Sequence, residues 1–151
     1  MSRPLISIVI PVFNQNPEFF RRAINSALAQ GGQEIEVVVS DNHSTNGCHL
    51  ILDEFNDPRL RVVRPPQHLS IIQHFAYVGF QATGEYISLL PSDDWLEPNW
   101  LAEMLTALQK HSEAAFAYCD LYKHDVTSGQ TSRYRSTGYP SRFLTDAEAI
   151  R

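Results

Sequence analysis

Two rhythms of apolar residues alternate along the chain. Leu5–Ile10 (LISIVI) is almost continuously apolar and β-branched, the pattern of a strand covered on both faces. It is expected to halt at Pro11. Asn16 then offers an N-cap and Pro17 a first helical position, ahead of Phe19, Phe20, Ala23, Ile24, Ala27 and Leu28 at helical spacing. Gly31-Gly32 should end that helix. Ile35–Ser40 (IEVVVS) reads as a second strand closing on Asp41, and a helix is expected from near Gly47 to Phe55 with Leu50, Ile51 and Phe55 inward. Arg59–Arg64 (RLRVVR) is a third strand whose charged ends suit a sheet edge. A helix from about Ser70 to Ala82 leads into a fourth strand, Glu85–Leu90 (EYISLL), and Pro98 should open a helix carrying Trp100, Leu101, Met104, Leu105 and Leu108. Ala114–Asp125 reads as a fifth strand and Thr127–Thr131 (TSGQT) as a hairpin turn into a return strand near Ser132–Arg135. TDAEAIR, from Thr145, has the start of a further helix.

Strand, helix, strand, helix predicts an α/β fold: a mostly parallel sheet with right-handed crossovers and helices on both faces. Such sheets bind ligands beyond the carboxyl ends of their strands, where strand order reverses. The informative residues are therefore Pro11–Asn16, Asp41–Asn46 and Pro91–Trp95.

Composition narrows the function classes. A chain of 151 residues, 43% of them apolar, is read as one globular domain over residues 1–151, large enough to bury roughly 70% of its unfolded surface. A net charge of -5 leaves no basic stripe to neutralise phosphates, which argues against nucleic acid. Cys48 and Cys119 stand far apart without metal-ligand spacing and read as reduced thiols of a cytoplasmic protein. No signal core or membrane span is visible, because the first apolar run is too short.

After the first strand comes PVFNQ (Pro11–Gln15), not the Gly-x-Gly-x-x-Gly of a dinucleotide site. That absence argues against an oxidoreductase, and the lack of a Gly-rich basic loop argues against a nucleotidyltransferase. Asp41, alone, is equally an Asx-turn residue among Asn42, Ser44 and Asn46. Asp93 and Asp94 follow an apolar strand and are fenced by Pro91, Trp95 and Pro98. Helix capping could explain an acid here, but Glu97 is better placed for it. Paired carboxylates are best stabilised by a hard divalent cation, Mg²⁺ or Mn²⁺, which takes its other ligands from phosphate and water. One carboxylate facing one phosphate charge at about 4 Å is repelled by about 4 kcal/mol at an effective dielectric near 20. A metal between them reconciles the two.

Four segments then resemble a known family in its own order: ISIVIPVFNQ (Ile6–Gln15), EVVVSDNHSTNG (Glu36–Gly47), ATGEYISLLPSDDWLEPNWL (Ala82–Leu101) and AYCDLY (Ala117–Tyr122). The chain resembles the nucleotide-sugar-binding part of a family 2 glycosyltransferase of the GT-A fold. The resemblance implies that Pro11, Phe13 and Asn14 wall the nucleoside pocket and that Asp41 accepts a hydrogen bond from the base, the N3–H of uracil or thymine. Ser92 would border the nucleotide. Asp93, matching the end of the Asp-X-Asp signature, would ligate the metal on the donor's diphosphate, with Asp94 orienting it, touching the sugar or ligating through water. Pro91 stands where the signature's first acid belongs. His74 occupies a place where a polar donor contact is usual, although a partly buried helix histidine with a local hydrogen bond explains it better. Arg133 and Arg135 could reach a diphosphate, and a solvated strand face explains them equally well.

The activity implied is inverting transfer from a UDP- or dTDP-sugar to an acceptor hydroxyl, glycan or lipid-linked, in glycan or cell-surface polysaccharide synthesis. The catalytic general base and the acceptor-binding half are expected beyond Arg151, since Asp146 and Glu148 have no context that recommends them. On this reading the protein is cytoplasmic or peripheral at the inner face of the membrane, any attachment coming from sequence this chain does not carry. The alternative is a catalytically incomplete nucleotide-sugar-binding or interaction module of the same fold.

Overall fold

The computed structural model describes residues 5–31 and 35–134. They divide into two compact units, one ending at Leu101 and the other starting at Ala102. In the first, β1 (Ile6–Val12), α1 (Pro17–Leu28), β2 (Ile35–Asp41), a 3-10 helix (Cys48–Glu54), β3 (Leu60–Val63), α2 (Ile71–Phe80) and β4 (Tyr86–Leu89) follow in order. The strands form one parallel sheet in the order β3-β2-β1-β4. β1 to β2 moves one way across the sheet, and β3 to β4 returns past β1 to the other side. With right-handed crossovers, α1 and α2 therefore cover opposite faces.

All seven residues of β1 are buried. Side chains alternate between faces along a strand, so Val9 and Val38, which are register partners, share a face and pack with Val78 of α2. Asn16 caps α1 by accepting the Glu18 N–H at 2.8 Å, with Pro17 next, and Phe20, Ala23, Ile24 and Ala27 form the buried stripe of the helix. Ser70 and Gln73 form a reciprocal capping box at the start of α2.

Several expectations need correction. β1 does not halt at Pro11 but runs through it, with Pro11 opposite Ser40 and Val12 opposite Asp41. The Leu5 and Val9 carbonyls accept the Tyr86 and Leu90 N–H groups, so odd positions of β1 face β4, while the Val12 carbonyl accepts the Asn42 N–H on the other side. The N–H that proline lacks would point toward β4, which has already ended at Leu89, so no ladder bond is lost. Cys48–Glu54 is a 3-10 helix rather than an α-helix. Three residues per turn put Cys48 and Ile51 on its buried side and leave Leu50 exposed.

The helix expected at Pro98 begins at Trp100, as α3 (Trp100–Lys110), and Pro98-Asn99 form the turn before it. Of the fifth strand over Ala114–Asp125, only Leu121–His124 is strand (β5), paired antiparallel with β6 (Thr131–Tyr134) in a separate hairpin. Leu121 pairs with Tyr134, the last described residue, so positions before Leu121 have no described strand to pair with. Gly129 carries the positive φ of 68° that the connecting turn requires. Arg135 and the helix expected from Thr145 lie outside the described residues. Among the described residues no helix is long and apolar enough to cross a membrane.

At the amino end of the sheet, Gly84 lies so close to β1 that an added Cβ would meet the Ser7 backbone nitrogen at 2.6 Å. Its own N–H donates to Ser7 Oγ at 2.7 Å, and that hydroxyl donates in turn to Glu36 of β2. Gly84→Ala is expected to destabilise the fold by about 2 kcal/mol, the scale of an overpacked core site. A lower urea midpoint at unchanged slope is the check.

Candidate functional site

The order reversal falls between β1 and β4, so the crevice that this topology favours opens between residues 11–15 and 91–94. The two loops touch: Gln15 Nε2 donates to Ser92 Oγ at 3.4 Å. A third loop, after β2, is tied to the first. Asn14, with a left-handed φ of 49°, donates its N–H to Ser44 Oγ at 3.0 Å, and its Oδ1 accepts from the N–H groups of Thr45 at 2.7 Å and Asn46 at 3.2 Å. Asn46 Nδ2 donates back to the Gln15 carbonyl at 3.0 Å. Pro11 is buried inside β1. Phe13 is 47% exposed, and its ring lies 4.7 Å from that of His68, tilted by 54°. β2 and β4 flank β1 and so lie roughly 10 Å apart across the sheet at the usual strand spacing, β2 ending three register positions beyond β4.

Asp41, the last residue of β2, is 3% exposed. Its Oδ1 accepts the Ser44 N–H at 3.0 Å, and its Oδ2 accepts from Arg64, from Nε at 3.1 Å and also from Nη2. Burial pushes the Asp41 carboxyl up, but the bonds from Ser44 and the Arg64 guanidinium outweigh it and hold the pKa below the ordinary value. Asp41 is thus both a turn residue and one half of an ion pair. A carboxylate with a depressed native pKa contributes stability that is fully present above its unfolded pKa, about 3.9. That contribution is lost as pH falls through the lower native value. Asp41→Asn should therefore lower the urea midpoint at pH 7, and the gap to the unmodified protein should close as pH falls below 4 (about the unfolded pKa). A gap independent of pH would remove the ion-pair account.

Around Asp41 the next shell is ordered by side chains. Asn42 clasps the Leu69 backbone from both sides, Nδ2 donating to its carbonyl and Oδ1 accepting its N–H, each at 2.8 Å. His74 is buried, with Nε2 2.9 Å from Ser40 Oγ, and burial pushes its pKa down. The hydrogen bond expected of this helix histidine is thus made to a side chain of β2, 34 positions away, rather than locally.

Asp93 and Asp94 are exposed in the turn after β4, which the Asp94 N–H closes onto the Pro91 carbonyl at 3.1 Å. Among the described residues neither carboxylate has an ion-pair partner. Partial burial, and then the charge of Asp93, raise the pKa of Asp94. A repelling, cation-free pair of hard oxygen donors is a chemically suitable holder for a divalent ion that completes its shell with phosphate and water. Among the described residues no cluster of three or more metal-ligating side chains exists.

What fixes this turn is α1. Residues spaced by four lie on one face of a helix, and three of α1 and its end grip consecutive residues after Asp94. The Arg22 guanidinium lies 3.3 Å from the Trp95 ring centroid. Ser26 Oγ accepts the Leu96 N–H at 3.0 Å. Gln30 Nε2 donates to the Glu97 carbonyl at 2.9 Å, and its Oε1 accepts the Leu101 N–H at 2.9 Å.

Pro11, Phe13, Asn14, Asp41, Ser92, Asp93 and Asp94 thus lie on or beside three neighbouring loops at one edge of the sheet. Arg133 lies in the hairpin of the second unit, where it pairs with Asp120 at 2.7 Å. Arg135, Asp146 and Glu148 lie outside the described residues. Sequence reasoning missed Arg64, His68, Arg22, Ser26 and Gln30. The spacing of Arg22, Ser26 and Gln30 was a readable signal. The contacts of Arg64 and His68 depend on tertiary structure and left none.

A family model described as "Glycosyl transferase family 2" matches residues 7–149. The chain is 33% identical over 117 residues to the chondroitin synthase of Pasteurella multocida, covering 76% of this chain and 12% of that one. Its fold matches that of Staphylococcus aureus TarS, solved as residues 1–349 in complex with UDP, at a TM-score of 0.63 and 25% identity, covering 71% of this chain and 32% of that one. It also matches the mannosyltransferase PcManGT of Pyrobaculum calidifontis, solved with GDP-Man and Mn²⁺, at a TM-score of 0.62 and 22% identity, covering 71% of this chain and 33% of that one. The chain spans from about an eighth to about half the length of the curated relatives it matches.

Proposed function

The chain belongs to glycosyl transferase family 2 and has the GT-A fold, and on that premise we propose that the β1–β4 crevice binds a UDP- or dTDP-sugar for inverting transfer to an acceptor hydroxyl. One observation carries the reading. The loops after β1 and β4 meet at the order reversal, through Gln15 and Ser92, with the cation-free Asp93-Asp94 pair beside them. The nucleoside lies against Pro11, Phe13 and Asn14 with its base toward Asp41, and the diphosphate lies toward Ser92 and Asp93.

Asp93, with Asp94 beside it, would hold Mg²⁺ or Mn²⁺, which when bound supplies Lewis-acid stabilisation to the departing diphosphate. The protein's own part is to keep Asp93 in place through α1 and to offer a buried acceptor at Asp41. A charge-assisted hydrogen bond at Asp41 contributes about 1.5–3 kcal/mol, enough to favour a base with a ring N–H. UDP-bound TarS and the manganese-containing mannosyltransferase establish such ligands for those proteins, and support the reading by analogy of fold.

Pro91, in place of the signature's first acid, favours a second reading, a nucleotide-sugar-binding module without turnover. Calorimetric titration with UDP, dTDP and CDP in the presence of Mn²⁺ tests the donor assignment. The uracil and thymine nucleotides should bind more tightly than CDP, whose ring nitrogen has no proton to donate, and Asp41→Ala should erase the preference. A preference that survives in Asp41→Ala would remove the base-reading role. Release of free UDP from UDP-sugars by the full-length protein separates the enzyme from the binding module.

A further inference from the structure

We propose that the histidines joining the loop after β2 to the segment after β3 form an acid-sensitive clasp, closed at neutral pH and released at the first turn of α2 when His74 takes up a proton. The inference rests on the proposed function only for its effect on ligand affinity.

Four consecutive residues, Ser40 to His43, are each bonded to residues 64–74. Ser40 Oγ lies 2.9 Å from His74 Nε2. Asp41 accepts from Arg64. The Asn42 carbonyl lies 3.0 Å from His68 Nδ1, and the Asn42 side chain holds Leu69. His43 Nε2 lies 3.0 Å from the Pro65 carbonyl. Three of the chain's six histidines thus stand at one seam, where a change of charge near neutral pH acts on a single junction.

The three do not respond alike. His43 and His68 face carbonyls, which only accept, so each donates, and does so whether neutral or protonated. His74 differs because it is 3% exposed. A protonated imidazole there still has a donor for Ser40, but its charge is buried. The charged and titratable groups that face it are Asp41, from β2, and His68, from the segment before α2. Asp41 is already committed to Arg64, and His68 adds a like charge when protonated. No Asp, Glu, Lys or Arg occurs between Arg64 and Glu85, so α2 and the residues before it bring no acid of their own. Burial accordingly holds the His74 imidazole neutral, with its pKa below the ordinary value.

An imidazole whose pKa is depressed when enclosed and ordinary when wet stabilises the closed form above the ordinary value, about 6.5. That stabilisation is lost as pH falls below it. Release is local. His68, Leu69 and the capping residue Ser70 lie immediately before α2, so lifting its first turn toward water draws His68 and Leu69 off Asn42. Arg64 and Pro65 sit at the other end of the segment, so the Asp41–Arg64 pair stays made. The contact between the Phe13 and His68 rings is lost with the first turn, which extends the effect to the loop after β1.

Hydrogen exchange of the ligand-free protein reads the clasp at the Leu69 N–H, which Asn42 Oδ1 accepts. Between about pH 7.5 and about pH 5.5 its protection, corrected for the intrinsic rate, should fall about tenfold, the limit for one proton taken up below about 6.5. Protection of the Leu90 N–H, bonded to the Val9 carbonyl, should stay constant. His74→Gln, whose amide nitrogen reaches the same place without titrating, should hold Leu69 protection constant too. Uridine has no phosphate and no group that titrates in this range, so its affinity should fall by the same factor in the unmodified protein and not in the variant. An equal fall of protection in His74→Gln, or none in the unmodified protein, overturns the inference. Should that variant not fold, imidazole titration by NMR decides: loss of Leu69 protection must follow the His74 midpoint, and loss that follows His43 or His68 overturns the inference. If uridine binds at no pH, the nucleoside assignment fails, while the exchange measurement still decides the clasp.

Discussion

Asp93→Asn should bind UDP at least about a hundredfold more weakly in the presence of Mn²⁺ while keeping the thermal stability of the unmodified protein. The carboxylate is exposed and meets no cation among the described residues, so the fold gives up no interaction when it is neutralised. Binding is different. A carboxylate next to a diphosphate repels it by about 4 kcal/mol per charge pair at close range, and an ion between them turns that repulsion into two attractions. Removing the anionic ligand forfeits an interaction of that scale, and about 2.7 kcal/mol is already a hundredfold.

Asp94→Asn should behave otherwise. Partial burial and the Asp93 charge raise the pKa of Asp94, so its charged form opposes folding at neutral pH, and its neutralisation should slightly raise the stability of the ligand-free protein. Paired titrations and melting curves of the two variants check both statements. An unchanged UDP affinity in Asp93→Asn, or a stability loss as large as its binding loss, would contradict them.

Gln30→Ala should destabilise the protein by about 3 kcal/mol, among the larger effects of single substitutions. Gln30 is 1% exposed and sits at the junction of three segments. Its Nε2 donates to the carbonyls of Ser26 and Glu97, and its Oε1 accepts the Leu101 N–H. That N–H belongs to the first turn of α3, where backbone donors lack intrahelical partners. Truncation leaves buried backbone groups unsatisfied at about 1–3 kcal/mol each and frees the segment that follows Asp94. Gln30→Leu restores the volume but not the bonds, so it should recover little. Chemical denaturation of the two variants decides: a near-complete recovery by leucine would mean that packing, not hydrogen bonding, is the role of Gln30. UDP affinity should fall in both variants, because the Asp93 turn is held from this side.

The central strands were legible because β1 and β2 are unbroken β-branched runs, and the cap of α1 because Asn16-Pro17 writes it locally. Strand order was not readable, since it depends on which sides the crossovers take. Pro11 shows the limit well: read locally it ends a strand, yet the early end of β4 makes its missing N–H harmless. Leu50 was misassigned because α and 3-10 periodicities diverge within one turn.

In the site, Asp41, Asp93 and Asp94 could be picked out as acids following strands. Arg64 could be seen only as the charged end of an edge strand, because its bond to Asp41 spans 23 positions of sequence. The grip of α1 on Trp95, Leu96 and Glu97 was half visible, in a polar stripe at positions 22, 26 and 30 that had no apparent purpose until the fold supplied its partner.

A divalent ion is proposed to reconcile the Asp93-Asp94 pair with an anionic diphosphate at the β1–β4 crevice, and the decisive experiment is titration of the unmodified protein with UDP and with uridine, each in Mn²⁺ and in chelator. Chelation should abolish UDP binding and leave weak uridine binding unchanged, since uridine has no phosphate to bridge. Equal UDP affinity in chelator and in Mn²⁺ would rule the bridging ion out.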